Sequence, residues 1–244
     1  MRLLTVTLII FSFVIPFNVY GIECGSIPTD GCEVTVDTIF RNDIYYLPNG
    51  IKIVSNDVMV DCKDSILIGG GDLHNYFNNG ILLDTKSSVR VNHCIVKNYG
   101  IGIKLLNSNN NELTNNKVIG NGHGFNLQLS SSYNILRNNL ASSNVHHGFS
   151  LQSGPNNNYL FKNRAENNQK SGFYLDHASY NNLTRNTISF NGDWGIELID
   201  SDYYNNIWLN KLYGDNVEFK PTNVYCINGK GNFYLEGSSG PSCS

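Results

Sequence analysis

A Gly-apolar-x-apolar tetrad returns six times at nearly constant spacing, and this repeat limits the fold more than any other feature of the chain. It occurs at Gly80-Ile81-Leu82-Leu83, Gly102-Ile103-Lys104-Leu105, Gly124-Phe125-Asn126-Leu127, Gly148-Phe149-Ser150-Leu151, Gly172-Phe173-Tyr174-Leu175 and Gly195-Ile196-Glu197-Leu198. The steps are 22, 22, 24, 24 and 23 residues. Three Asn columns run in phase with it. One is Asn111, Asn134, Asn158, Asn181 and Asn205; five residues on come Asn116, Asn139, Asn163, Asn186 and Asn210. Five further on lie Asn121, Asn144, Asn168 and Asn191, closed by Asp215.

The first and third residues after each Gly are apolar and the middle one is mostly polar, which is the period of a strand with one buried face. A second inward column reads Val91, Leu113, Leu136, Leu160, Leu183 and Ile207, and a third reads Val96, Val118, Ala141, Ala165, Ile188 and Leu212. Three short strands in a period of 22–24 residues predict an all-β, single-stranded parallel β-helix. Its coiling is expected to be right-handed, as parallel crossovers are. A leucine-rich repeat shares the period, but no stretch shows helical spacing. Phe125, Phe149 and Phe173 share one inward slot and should stack. Asn suits the corners because it tolerates the left-handed backbone and bonds local main chain, and stacked amides can bond one another. Roughly one residue in six is Asn, far above ordinary usage. The excess reads as scaffold.

Outside the repeat, residues 1–21 read as a secretory signal peptide, with Arg2 ahead of the apolar run Leu3–Phe17 and small residues before Ile22. Residues 22–49 and 217–244 are assigned as N- and C-terminal caps, and 50–216 as the β-helix, because a stack of parallel strands needs its edges covered. Gly50-Ile51-Lys52-Ile53 begins an irregular first coil. The next tetrad follows 30 residues later, and the excess, around Asp72–Phe77, is a projecting loop of the kind that carries binding contacts. The chain has 17 Lys+Arg against 20 Asp+Glu, a net charge of -3. That excludes nucleic acid, which needs concentrated positive charge, and an anionic membrane surface. No second apolar stretch of spanning length follows the leader, so no membrane insertion is expected after cleavage. Export makes disulfides the default for Cys24, Cys32, Cys62, Cys94, Cys226 and Cys243. Cys24–Cys32 and Cys226–Cys243 are the expected pairs, while Cys62 and Cys94 either pair or stay buried.

The Gly-Ile/Phe-x-Leu and Asn-x-Leu-x-x-Asn pattern resembles the right-handed parallel β-helix superfamily. It is most similar to the NosD-type, carbohydrate-binding-and-sugar-hydrolysis group with the pectin-lyase-like fold. The element Asn56-Asp57-Val58-Met59-Val60-Asp61-Cys62 is similar to one in exported members of that group. The resemblance implies a secreted or envelope β-helix with a polysaccharide or surface glycan as partner, in a group that mixes lyases, epimerases, hydrolases and adhesins. Copper, named in the group's description, has no support in the sequence: Met totals 2, and His93-Cys94 is too little for a metal site. Gly122-His123-Gly124 matches the Gly-His-Gly of polygalacturonase-type hydrolases, whose paired carboxylates are missing here. Leu175-Asp176-His177 resembles the Asp-Pro-His of mannuronan epimerases without its Pro.

The candidate site lies in what the repeat does not demand. Outward positions of the tetrad strand form a strip of Lys104, Asn126, Ser150, Tyr174 and Glu197, with Gln128, Gln152 and Asp176 two residues on and Trp194 nearby. Hydrogen-bonding groups beside aromatic faces suit a sugar chain, and Lys104, Asn126, Gln128, Gln152, Tyr174, Trp194 and Glu197 are the binding candidates. The segments before each Gly align His123, His147, Ser171 and Trp194. With Asp176 and His177 two coils along, His123, His147, Asp176 and His177 are candidates for acid–base catalysis. Lys170 or Arg185 would supply the cation that a uronate substrate needs. Calcium would enter only with a lyase, and Asp200 and Asp202 are too few to hold it. Asn182-Leu183-Thr184 is a glycosylation sequon. The sequence therefore favours carbohydrate binding along a polar face, with a polyuronide lyase or C5-epimerase, or a structural envelope component, as alternatives.

Overall fold

The computed structural model describes residues 21–199, 203–217, 223, 225, 230–235 and 239–241. The stretch 1–20, Cys226 and Cys243 lie outside the described residues. Three parallel sheets of eight, eight and nine strands wind into a β-helix, each coil giving one strand to each sheet. In the best-formed coils the tetrad opens strands Ile101–Leu106, His123–Gln128, Phe149–Gln152 and Phe173–Asp176 of the first sheet. The register pairs Ile103 with Phe125, Phe125 with Phe149 and Phe149 with Phe173, so that the tetrads stack in phase.

The stack runs past both ends of 50–216. Within the segment assigned as the N-terminal cap, Glu33–Val34, Thr38–Ile39 and Ile44–Tyr46 already pair with the three sheets. Within the C-terminal one, Phe233–Leu235 pairs with Lys211–Tyr213. These terminal strands carry too few apolar alternations to show in the sequence, but backbone pairing does not require them. Cys24 bonds Cys32 and Cys62 bonds Cys94 across adjacent coils, their Cα atoms 5.0 and 4.8 Å apart. The second pair settles the alternative that the sequence left open.

The interior is filled by columns. Phe125, Phe149 and Phe173 stack with centroids 4.8 and 4.7 Å apart and planes within 8°. The coils that carry Phe125 and Phe149 carry the smallest third-sheet residues, Ala141 and Ala165, so each coil keeps a similar filled volume.

The Asn columns are ladders at the three corners, where the chain turns out of one sheet and its amides leave the strand ladder. At Asn139 the side-chain Oδ1 accepts from both the backbone N–H and the Nδ2 of Asn116, at 3.0 and 3.1 Å. Its own Nδ2 donates to the Leu113 carbonyl at 2.8 Å and to Asn163 Oδ1 at 3.1 Å. Both protons and both lone pairs are used. Two ladders end in residues that sequence spacing does not mark, Asn205 on Asn223 and Asn210 on Asn232, while the third ends as its spacing predicts, Asn191 on Asp215. Cys94 takes the head of one ladder, its N–H donating to Asn116 Oδ1.

The left-handed backbone expected at these Asn sits one residue earlier. Tyr133, Asn138, Lys162, Asn167, Tyr180, Arg185 and Phe190 have φ of 55–59°. Stacking overrides the intrinsic penalty of roughly 1–2 kcal/mol at such positions, so bulky and charged residues occupy them as well as Asn.

The tetrad Gly is required for close approach. A Cβ on Gly124 would stand 2.3 Å from the Gly148 carbonyl oxygen, whereas one on Gly120 would meet open space. Gly124→Ala is therefore expected to destabilise by roughly 3 kcal/mol in denaturant unfolding. Gly120→Asn, at a left-handed position, should stay near wild type; equal effects would refute this packing account. Burial pushes the Asp215 carboxyl up to about 6. A raised folded pKa means that its stabilising protonated form is complete below about pH 4 and lost as pH rises through 6. Asp215→Asn, which continues the ladder, should stabilise by roughly 2 kcal/mol above pH 7 and lose that advantage near pH 4. An advantage that persists at pH 4 would show that charge is not the cause.

Candidate functional site

The loop between Gly69 and Asn78 folds over the outer face of the first sheet and makes a cleft of about 520 Å³. Tyr76 and Phe77 form its rim, and Lys104, His123, Asn126, Gln128, His146, His147 and Gln152 line it. The loop lies close because Gly122 has no Cβ: one built there would stand 2.0 Å from the Leu73 carbonyl oxygen. Both glycines of Gly122-His123-Gly124 are thus accounted for by packing. Tyr76 Oη lies 3.2 Å from His146 Nε2, and its ring is 5.5 Å from that of His123.

Four histidines meet here, three from adjacent turns of the repeat and the fourth, His74, from the insertion. The rings of His123 and His146 stack at 4.7 Å, His147 lies 5.6 Å from His123, and His74 lies 6.0 Å from His146. The insertion into the repeat was the signal for His74, Tyr76 and Phe77. Burial, with smaller contributions from His147, His146 and Lys104, holds His123 down to about 3. Burial likewise holds His147 down to about 4, aided by His146 and opposed first by Asp193. His146 is lowered by burial and by His74 and Lys170, and burial lowers Lys104 against the pull of Asp84. The Ser171 N–H donates to His147 Nδ1 at 3.2 Å, leaving the Nε2–H of the neutral ring to the cleft. Tyr174 stacks on His147 at 4.1 Å with planes 19° apart.

Of the binding candidates, Asn126 and the neighbouring Ser150 are buried, 1% and 0% exposed, rather than solvated. Asn126 Nδ2 and Gln128 Nε2 both donate to Gln152 Oε1, at 3.4 and 3.1 Å. Three atoms on this face are buried without a hydrogen-bond partner: His123 Nδ1, Asn126 Oδ1 and Ser150 Oγ. Trp194 is partly exposed one coil beyond Ser171, and Glu197 accepts from the Ser171 hydroxyl.

The structure separates the catalytic candidates. His123 and His147 sit at the start of the first-sheet strands, whereas Asp176 is in register with Gln152 at their end. Five residue steps along the strand, about 16 Å, separate the two levels, besides the offset between coils. Asp176 and His177 pair with each other, Oδ1 to Nδ1, at 2.6 Å. Lys170 pairs with Asp193 at 3.2 Å, and Arg185 lies at the corner between the second and third sheets. A histidine held neutral down to pH 3–4 is a poor match for proton abstraction near neutrality. Asn182 lies in the strand Asn182–Thr184 with Thr184 buried, not in an exposed loop.

Solved structures share the fold. Pectate lyase Pel9A superposes with a TM-score of 0.61 at 13% identity, covering 85% of this chain and 70% of that one. The periplasmic alginate epimerase AlgG matches with a TM-score of 0.53 at 20% identity over 88% and 51%. The mannuronan C-5 epimerase AlgE4 A-module of Azotobacter vinelandii gives 0.52 at 13% identity over 88% and 87%. The DFA-IIIase of Arthrobacter chlorophenolicus A6 gives 0.55 at 13% identity, and the chain spans 42% of that enzyme's length. At these identities the likeness is one of fold. A search of curated protein sequences finds no match.

A family model described as periplasmic copper-binding protein (NosD) matches residues 29–238. The residues present do not fit copper. His123 and His146 stack while His74 meets His146 edge-on, and the four described cysteines are all in disulfides. Among the described residues no group of three or more His, Cys, Asp or Glu is placed to hold a metal ion. The two disulfides are those of a chain folded in an oxidising, extracytoplasmic compartment. With the family match spanning nearly the whole β-helix, the chain belongs to the NosD family.

Proposed function

We propose that this protein is an extracytoplasmic β-helix, exported by its N-terminal leader, that binds a carbohydrate chain in the cleft under the 69–78 loop. The observation that carries the reading is the set of unpaired buried atoms at His123 Nδ1, Asn126 Oδ1 and Ser150 Oγ on the cleft face. A buried polar atom without a partner is destabilising by roughly 1–3 kcal/mol, and sugar hydroxyls would supply the missing partners. Neutral imidazoles and the side-chain amides of Asn126, Gln128 and Gln152 offer both donors and acceptors, as hydroxyls do. Tyr174, stacked on His147, offers a flat face to a pyranose ring. The structurally similar proteins named for pectate and alginate support a saccharide as the ligand class. Catalysis has less support, because the acid–base candidates stand on opposite margins of the sheet and the cleft histidines are weak bases.

Calorimetric titration with a panel of soluble oligosaccharides, with mass spectrometry of the mixtures, tests the reading. Saturable binding of one sugar without product is expected, weakened about tenfold or more in Tyr174→Ala and Asn126→Ala. Unchanged binding in both variants would remove the cleft, and shortened or unsaturated products would replace binding with catalysis.

The histidines give a second expectation. Their folded pKa values lie below the ordinary value near 6.5, so the stability that they contribute is complete above about pH 6.5 and is lost as pH falls towards 4. The imidazole NMR signals of His123 and His147 should stay unshifted down to about pH 5. The unfolding free energy of His147→Gln should fall less than that of wild type between pH 7 and 4. An ordinary titration midpoint for either residue would contradict the burial described above.

A further inference from the structure

A second surface, remote from the cleft, follows the corner between the second and third sheets. Lys162 and Arg185 occupy the left-handed position of adjacent coils, each with φ of 55°. Asn115 and Asn138 hold the same position in the two preceding coils, with φ of 58 and 56°. Asn is the residue that adopts this conformation with little strain, so long cations here are not a choice made by the backbone. Both stand over the Phe161 ring, with Lys162 Nζ 5.0 Å and Arg185 Cζ 5.7 Å from its centre. Beside them the third sheet presents Lys117, Arg164 and Lys211 in one outward column, two coils apart each.

Five exposed cations on one edge are unexpected in a chain of net charge -3. Arg164 pairs with Glu166 at 2.6 Å. Among the described residues, Lys117, Lys162, Arg185 and Lys211 have no ion-pair partner. The acidic groups facing the corner are Glu166 and Asp64, the latter at its far end.

The surface is concave. A groove of about 450 Å³ includes Lys117, Lys162 and Arg164, and one of about 340 Å³ includes Lys162, Arg185, Lys211 and Phe233. They share Lys162 and so run on along the helix axis. Cations recur along it in multiples of the coil rise, about 4.8 Å, a spacing comparable to the rise per sugar in an extended 1,4-linked chain. We infer that this corner is a binding site for a linear acidic polysaccharide, its carboxylates or sulfates on the cations. The site is separate from the cleft: it gathers Lys117, Lys162, Arg185 and Lys211, where the cleft lining among the described residues holds one cation, Lys104, with imidazoles and amides. A bilayer, being flat, does not fill an axial groove, and nucleic acid is disfavoured by the acidity of the remaining surface.

The test is titration of the full chain at low ionic strength with polygalacturonate and heparin. Dextran, phosphatidylglycerol vesicles and a single-stranded oligonucleotide are the comparison probes. Saturable binding of at least one acidic polysaccharide, weakened by added salt, is expected. The double variant Lys162→Asn/Arg185→Asn, which carries the residue the same turn holds upstream, should fold normally and bind about tenfold more weakly. Tyr174→Ala should bind as wild type. Absence of binding, binding unaffected in the double variant, or tighter binding of vesicles or oligonucleotide would overturn the assignment. Equal loss in Tyr174→Ala would move the acidic ligand to the cleft, and loss of neutral-sugar binding alone would leave this corner standing.

Discussion

The structure depends on hydrogen bonding along the helix axis at its corners. Strands within a sheet satisfy one another, but at each turn the backbone N–H points along the axis into a buried space, where water does not reach it. A buried amide must find a partner. The Asn side chain provides one and, through its two protons, also satisfies the neighbouring Asn and a carbonyl in the preceding coil. Asp lacks the protons; Ser, as at Ser108 and Ser131, makes the same coil-to-coil contacts with only one; and Gln adds a methylene that the packed corner does not hold. The coil-to-coil spacing, the register of all three sheets and the depth of the core follow from keeping these ladders unbroken.

Because so much of the specification is internal, the outer surface is free to vary. Left-handed turn positions accept Tyr, Lys, Arg, Phe and Leu in place of Asn, since the adjacent rung holds the backbone. Outward strand positions change from coil to coil without effect on the interior. Chemistry is therefore written on a uniform scaffold by a handful of side chains. Where a loop closes over them, as Tyr76 and Phe77 close over the first sheet, their electrostatics change. Burial strips His123 and His147 of charge, so that a cluster with the composition of a metal or acid–base centre presents neutral imidazoles for hydrogen bonding. Among the described residues no group of three or more His, Cys, Asp or Glu is placed to hold the copper of the family description. The corner that carries Lys162 and Arg185 has the opposite character, open and cationic, on the same backbone.

The repeat made the fold legible. Period-two alternation within each tetrad and the 22–24 residue step between tetrads fix which residues face inward, and the stacking of Phe125, Phe149 and Phe173 follows from register alone. The Cys62–Cys94 bond was not determined in this way, because the extra residues between the first coils hide that the two cysteines lie one coil apart. The ends of the helix were also hidden. Asn223 and Asn232 complete ladders at irregular spacing, since a rung needs its amide in place and not a constant loop length.

By itself the sequence determined a parallel β-helix, its core columns and the face on which polar groups would gather, because these are periodic properties of a chain stacking on itself. It could not say that Asn126 and Ser150 would be buried, that His74 and Tyr76 would join His123, or that Asp176 would stand at the other margin. Those depend on where one aperiodic loop lands and how much water it excludes. Position along a repeat is encoded locally; burial, and with it the charge state of a histidine, is decided by contacts between residues far apart in the chain.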